Sequence, residues 1–285
     1  MIEEAQLKIL VEDTKNLGKP WLWAEHGLSV LVKVKMGKNE TSILLDTGAS
    51  GKTVLHNAYK MNVDLCKVDA VVLSHGHYDH TGGLLDILKC VGKPVPIVTH
   101  PEALKIKFEV KPRMRLIGIP FTLSEVEECG GRLLLSKHVA PLADHVLATG
   151  EIERVNDFED VSARFMTIRN DKFVHDEMLD DQALVIDYAD KGLMIITGCA
   201  HAGIVNTVKY AQKITGKSRV YAVIGGFHLV DADEKRIERT IQAFREFAPR
   251  FIGPCHCTGE KAIKRFKEEF GESFMEIHVG TALKL

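Results

Sequence analysis

The sequence predicts an α/β protein built from two central mixed sheets with helices on the outside. Three observations carry that expectation. Short, β-branched strand-like runs dominate the N-terminal third, strands and amphipathic helices alternate after residue 193, and no linker-like or low-complexity stretch divides the chain. One domain spanning 1–285 is expected, with the irregular region 101–182 as an insertion or lid.

In chain order, Leu28 to Val34, Ser42 to Leu45, Ala70 to Leu73 and Val95 to Val98 read as strands bounded by Gly, Asp, Asn or Pro. Thr53 to Met61 and Gly82 to Val91 read as helices between them, the second with Leu84, Leu85, Ile87 and Leu88 near one face. Residues 101–182 hold Pro and Gly breaks and hairpin pieces such as Arg132 to Leu135. Ala183 to Tyr188 and Leu193 to Ile196 form a strand pair around a turn at 190–192. A helix with Ile204, Val205, Val208, Ala211 and Ile214 at helical spacing follows. Val220 to Ile224 is a strand, Asp233 to Ala248 a helix striped by Ile237, Ile241, Phe244 and Phe247, and Phe251 to Gly253 another strand. A helix from about Gly259 to Phe270 and a closing strand over Met275 to Val279 complete the pattern.

A chain of 285 residues buries a sizeable core without disulfide or metal staples. Its 37 basic and 39 acidic residues give a formal net charge of -2, so no global field marks a nucleic-acid binder. The start, MIEEAQLKILVED, lacks the basic flank and apolar run of a signal peptide, and no apolar run approaches the ~20 residues that span a bilayer. The six cysteines are scattered, which reads as cytosolic thiols rather than a disulfide framework. A cytoplasmic protein without membrane or nucleic-acid partners is expected.

The chemistry concentrates in Leu73-Ser74-His75-Gly76-His77-Tyr78-Asp79-His80-Thr81-Gly82-Gly83. An apolar strand ends at Ser74 and a helix begins near Gly82, which leaves the His/Asp group on a tight loop. Alternate residues of an extended chain project to one side, so His75 and His77 can reach one cation. The chain must then turn before Asp79 and His80 can face a second. Imidazole nitrogen and carboxylate oxygen suit zinc, manganese or iron at ~2.0–2.2 Å. One or two transition-metal ions are expected, zinc first.

This run resembles the His-x-His-x-Asp-His signature of the metallo-β-lactamase superfamily, and Asp46 in Leu44-Leu45-Asp46-Thr47-Gly48 resembles that superfamily's upstream aspartate, which buttresses the metal loop. The resemblance implies an αββα sandwich with the metals at one edge. Ala24-Glu25-His26-Gly27-Leu28-Ser29, Thr197 to Ile204, Gly225-Gly226-Phe227-His228-Leu229 and Gly253 to Gly259 together resemble one branch of it. That branch is named for the archaeal enzyme joining a dihydropterin to ribofuranosylaminobenzene 5'-phosphate, and also includes proteins named metal-dependent hydrolases. It implies His75, His77 and His201 on one metal and Asp79, His80 and His256 on the other. Many superfamily members carry a metal-bridging Asp where Cys199 stands, so Cys199 is a candidate ligand or a neighbour of one, with Asp176, Asp180 and Asp181 as candidates to compensate.

Asp79 and His228 are the candidate catalytic residues and His26 a candidate substrate contact. If the chain is extended at Cys255-His256-Cys257, His256 faces the metals and both cysteines point away. The expected partner is a phosphorylated small molecule, aided by the alternating Lys111, Arg113 and Arg115. It is either hydrolysed or, as a dihydropterin diphosphate, condensed with a ribosyl-aryl phosphate. The competing expectation is a non-catalytic metal- or redox-responsive protein using Cys199, Cys255 and Cys257.

Overall fold

The computed structural model describes residues 2–285. Its first sheet runs, in spatial order, Ala282–Lys284, Glu4–Val11, Ser29–Met36, Asn39–Leu45, Ala70–Val72, Val95–Thr99 and Gly131–Leu135. Pairing is antiparallel up to Asn39–Leu45 and parallel beyond it. The second sheet runs Phe251–Cys255, Val220–Gly226, Gly192–Thr197, Ala183–Tyr188, Val146–Ala148 and Ala140–Ala143.

Strand alternation explains the layering. Leu7, Ile9, Val30, Val32, Ile43 and Leu45 meet Leu184, Ile186, Met194, Ile196, Ala222 and Ile224 between the sheets. The intervening Leu10, Leu31 and Leu44 face outward to Val54, Leu84, Ile87, Leu88 and Val126 of the helices Gly51–Lys60, Leu84–Val91 and Leu123–Glu128. On the other side Val185, Leu193, Ile195 and Val223 face Val205, Val208, Ile241, Phe244 and Phe266, from helices Ile204–Thr215, Glu234–Phe247 and Glu260–Phe270. The result is the expected four-layer αββα sandwich. Among the described residues no helix is long and apolar enough to cross a membrane.

Three expectations change. The N-terminal segment carries no strand expectation, yet Glu4–Val11 is an interior strand of the first sheet, paired on both sides. Arg132 to Leu135 is no hairpin piece: Gly131–Leu135 pairs parallel with Val95–Thr99 and ends that sheet. Met275 to Val279 is not the closing strand either. Met275 N donates to the Ile252 carbonyl and Val279 N to the Thr14 carbonyl, Ile277 and Val279 are buried, and it is Ala282–Lys284 that closes the sheet onto Gln6 to Lys8.

Residues 101–182 divide their labour. Gly131–Leu135 extends the first sheet, and Ala140–Ala143 with Val146–Ala148 extends the second. The rest contributes a third, antiparallel sheet of Lys172–His175, Phe165–Arg169, Lys107–Glu109 and Arg115–Leu116. It meets the metal loop where Ile117, Phe165 and Met178 pack with Tyr78, and where Tyr78 N donates to the Ile117 carbonyl at 2.9 Å.

Candidate metal centre

The strand Ala70–Val72 delivers the loop His75 to His80, and Asp46, at the end of the neighbouring strand, holds it in place. Asp46 is fully buried and adopts φ 59. Its carboxylate accepts from Ser74 N at 2.7 Å, Ser74 Oγ at 2.6 Å and His80 Nδ1 at 2.7 Å. Because Ser74 Oγ donates to Asp46, it accepts from His75 Nδ1 at 2.9 Å. That leaves the lone pair of His75 on Nε2, which is buried without a hydrogen-bond partner, as is His77 Nε2. On the other side of the loop Gly76 N donates to Asp180 at 2.8 Å, and a Cβ at Gly76 would strike the Ala103 carbonyl at 2.1 Å. Glycine is required there for that close approach.

The second sheet supplies the remaining candidate ligands from three strand ends: Cys199 and His201 after Gly192–Thr197, His228 after Val220–Gly226, and His256 after Phe251–Cys255. The His201 ring centroid lies 4.8 Å from that of His75 and 4.9 Å from that of His77, and neither His201 nitrogen has a partner. Burial pushes His75 and His201 well below the usual histidine range and His77 down to about 3, so all three imidazoles are neutral and able to ligate.

The second position is equally specific. His80 Nδ1 donates to Asp46 and His256 Nδ1 donates to Asp13 at 2.6 Å, so their Nε2 lone pairs face each other across 3.1 Å. Cys199 Sγ lies 3.1 Å from His80 Nε2, and Asp79 Oδ2 lies 3.4 Å from both nitrogens. Four electron-rich atoms converge, which only a proton or a cation between them can stabilise. Burial opposes charge on His80, but Asp79 and Asp46 prevail and push it up to about 9. A proton there stands where a metal ion fits. Cys199 belongs to both sets, its sulfur within 4.8 Å of His75 and His201 and of His80 and His256. It occupies the place of a bridging carboxylate.

The structure thus brings His77, Asp79, Cys199, His201, His228 and His256 to the lining of one pocket, with His75 and His80 packed beneath them and Asp46 behind. His26 stands at the rim, its Nε2 3.5 Å from Asp79 Oδ2. Asp176 and Asp180 do not compensate for the missing bridging aspartate: both clasp Lys107 Nζ, at 2.8 and 2.9 Å, while Asp181 accepts from Ala202 N at 2.9 Å. Of the basic set, Arg115 lines the pocket and Lys111 and Arg113 do not.

The extended geometry assumed at 255–257 fails. The strand ends at Cys255, His256 takes φ 51, and His256–Thr258 forms a single 3₁₀ turn. Cys255 therefore points into the core between the sheets, while Cys257 turns into the pocket beside Cys199 and His228.

Several residues with a part in the site escaped the sequence reading. Asp13 accepts from both His256 and His26, and Glu12 accepts from His256 N at 2.8 Å. The signal was present as an acidic pair closing the alternating run Leu7, Ile9, Val11. Arg164 joins Arg115 through Glu109, whose two carboxylate oxygens hold one guanidinium each.

A family model of the metallo-β-lactamase superfamily matches residues 22–197. The 7,8-dihydropterin-6-methyl-4-(β-D-ribofuranosyl)-aminobenzene-5'-phosphate synthase of Methanocaldococcus jannaschii is 38% identical over 288 residues, covering 99% of this chain and 97% of that protein. An uncharacterized protein of the same archaeon is 31% identical over 274 residues, 96% of this chain and 98% of its own length. The crystal structure of a metal-dependent hydrolase of the β-lactamase superfamily superposes with a TM-score of 0.82 at 31% identity, with 99% of each chain covered. The chain belongs to the metallo-β-lactamase superfamily.

Proposed function

We propose that this protein is a cytoplasmic metal-dependent enzyme acting on a phosphorylated small molecule, with one or two transition-metal ions, zinc first and manganese or iron as alternatives. The observation that carries this reading is one pocket whose floor is the converging His/Asp/Cys set and whose wall carries two guanidiniums, Arg115 and Arg164, held side by side by buried Glu109. Guanidinium pairs suit phosphate oxygens. The remaining pocket is small and lined by Tyr78, Ile117 and Phe165, which favours a compact planar substrate over a polymer.

Bound ions would supply Lewis acidity toward a phosphoryl or acyl oxygen and lower the pKa of water toward about 7. The chain's own residues do the positioning. Asp79 would ligate one ion and accept a hydrogen bond from the attacking group. His26 donates through Nδ1 to Asp13 at 2.8 Å, so its Nε2 is aimed over Asp79, where a proton is received or delivered. Tyr78 and Phe165, with the third sheet as a lid, would keep bulk water from the reacting bond.

Condensation of a dihydropterin diphosphate with a ribosyl-aryl phosphate is the first reaction to test, favoured by full-length identity to a synthase so named. Hydrolysis is the second, favoured by full-length similarity to a metal-dependent hydrolase. The metal-loaded protein is assayed with the pterin pair and, separately, with a generic phosphodiester. Condensation alone supports the synthase, and diester turnover alone the hydrolase. Neither, with metal bound, overturns the enzyme reading in favour of a metal-responsive protein.

A further inference from the structure

Cys199 has a second set of neighbours that neither histidine-rich position uses. Cys257 Sγ lies 3.4 Å from the Cys199 carbonyl, and the donor atoms of Cys199, His228 and Cys257 all fall within 4.8 Å of one another. We infer that this trio is a separate, thiolate-rich site for a soft metal ion, so that Cys199 stands between two alternative addresses for the second ion. One address is Asp79, His80 and His256; the other is Cys257 and His228.

Four observations support the second address. His228 Nδ1 is buried without any partner, so a donor atom there lacks an occupant. His228 is held at φ 47 and His256 at φ 51, a left-handed backbone that costs on the order of 1–2 kcal/mol in a residue other than glycine and persists where a site demands it. A Cβ at Gly226 would meet Cys257 Sγ at 2.6 Å and the Cys199 Cα at 3.1 Å, so the absence of a side chain at that position is what lets the two cysteines approach. The donor chemistry also differs in kind. Two thiolates and an imidazole prefer zinc, cadmium or copper(I), whereas a carboxylate and two imidazoles accommodate manganese or iron(II). Cys199 and Cys257 would bind the ion as thiolates. Cys255, buried between the sheets, takes no part.

The identity of the ion therefore selects its address: soft ions the thiolate side, harder ions the carboxylate side. His228 acquires a role as ligand in place of the catalytic role expected from the sequence.

The test uses metal-stripped, reduced full-length protein in a Cys66→Ser, Cys90→Ser background, which removes two exposed thiols. Cadmium is titrated while the thiolate-to-cadmium charge-transfer absorbance is followed, and manganese is titrated separately by electron paramagnetic resonance. In Cys257→Ser the cadmium absorbance at saturation should fall to about half, with manganese affinity within about threefold of the parent. Cys255→Ser should leave both unchanged. His228→Asn should weaken cadmium at least about tenfold while the absorbance at saturation stays the same. An undiminished cadmium signal in Cys257→Ser, or unchanged cadmium affinity in His228→Asn, overturns the inference and leaves the metal-dependent enzyme reading intact. Failure of the parent to bind either ion overturns both.

Discussion

The two sheets deliver their candidate metal-binding side chains in opposite ways. The first sheet presents His75, His77 and His80 from one loop whose every turn is tied down by buried hydrogen bonds, to Asp46, Ser74 and Asp180. The second presents Cys199, His201, His228 and His256 singly, from three strand ends, through backbone held at positive φ at Ala200, His228 and His256. The first half is organised by polar contacts that the loop itself recruits. In the second, each ligand is aimed by a local kink that the surrounding sheet must stabilise. Asp46 and Asp13 show the difference most directly. Each accepts three hydrogen bonds and orients one of the two histidines that face each other across 3.1 Å, but Asp46 is fully buried while the Asp13 side chain is 35% exposed.

If that contrast is correct, Asp46→Ala has the largest effect. It strands Ser74 N, the Ser74 hydroxyl and His80 Nδ1 in the interior, and a loss toward the upper end of about 3–5 kcal/mol is expected. Denaturant unfolding of the metal-free protein measures it. A loss below about 1 kcal/mol would show that the loop is held by something other than Asp46.

Lys107→Met probes the same half from the third sheet. Burial alone would raise the Asp180 carboxyl, but Lys107 beside it prevails and holds it below the usual range. The stability from the clasp is thus present above the ordinary carboxylate range and is lost only as pH falls through that depressed value. In Lys107→Met, burial acts on Asp180 against only the Gly76 N–H. The deficit is small in acid, where Asp180 is protonated, and grows to about 3 kcal/mol as pH rises to neutral. Unfolding at acidic and neutral pH checks the sign. A deficit that shrank with rising pH would remove Lys107 from this role.

Asp13→Ala is the matching test on the second sheet. Its exposure limits the change in stability to about 1 kcal/mol. Orientation of His256 is lost, so affinity for the second metal ion should fall about 10–100-fold. Elemental analysis after dialysis reads this directly. A large stability loss with unchanged metal content would make the two aspartates alike and erase the contrast.

The same contrast decides what the sequence reveals. His75 to His80 are contiguous, so their chemistry is visible without knowing the fold. His201 and His256 become visible only through the branch resemblance, because it takes three parallel-paired strand ends to bring them to one rim. The period-two rule misplaced Cys257 because it holds only while the chain is extended, and His256 breaks the strand. Asp13, Lys107 and Arg164 escaped for a related reason. Each acts through a partner distant in sequence: His256, Asp176 with Asp180, and Glu109. The layers of the sandwich were legible because alternation within each strand records which face is buried. The third sheet was not, because its strands are short and pair across a long separation, Phe165–Arg169 with Lys107–Glu109.

The smallest expected effect separates strain that serves the metal site from strain that does not. Ala248, at the end of helix Glu234–Phe247, is exposed and adopts φ 45, ψ 51, with its N–H donating to the Phe244 carbonyl. This is the helix-terminating position at which glycine is ordinarily favoured, and it lies away from every candidate ligand. Glycine there relieves the left-handed cost of about 1–2 kcal/mol but restores unfolded-state freedom worth about 0.4–1 kcal/mol. Ala248→Gly should therefore stabilise the protein by up to about 1 kcal/mol and leave metal affinity untouched. Ala200 shares the positive φ, but it is buried and sits between Cys199 and His201. In Ala200→Gly the same relief is offset by loss of a packed methyl, and the freer backbone lets both ligands wander. Metal affinity should fall even where stability barely moves. Equal behaviour of the two variants in metal binding would show that the kinks on the second sheet are incidental to ligand placement.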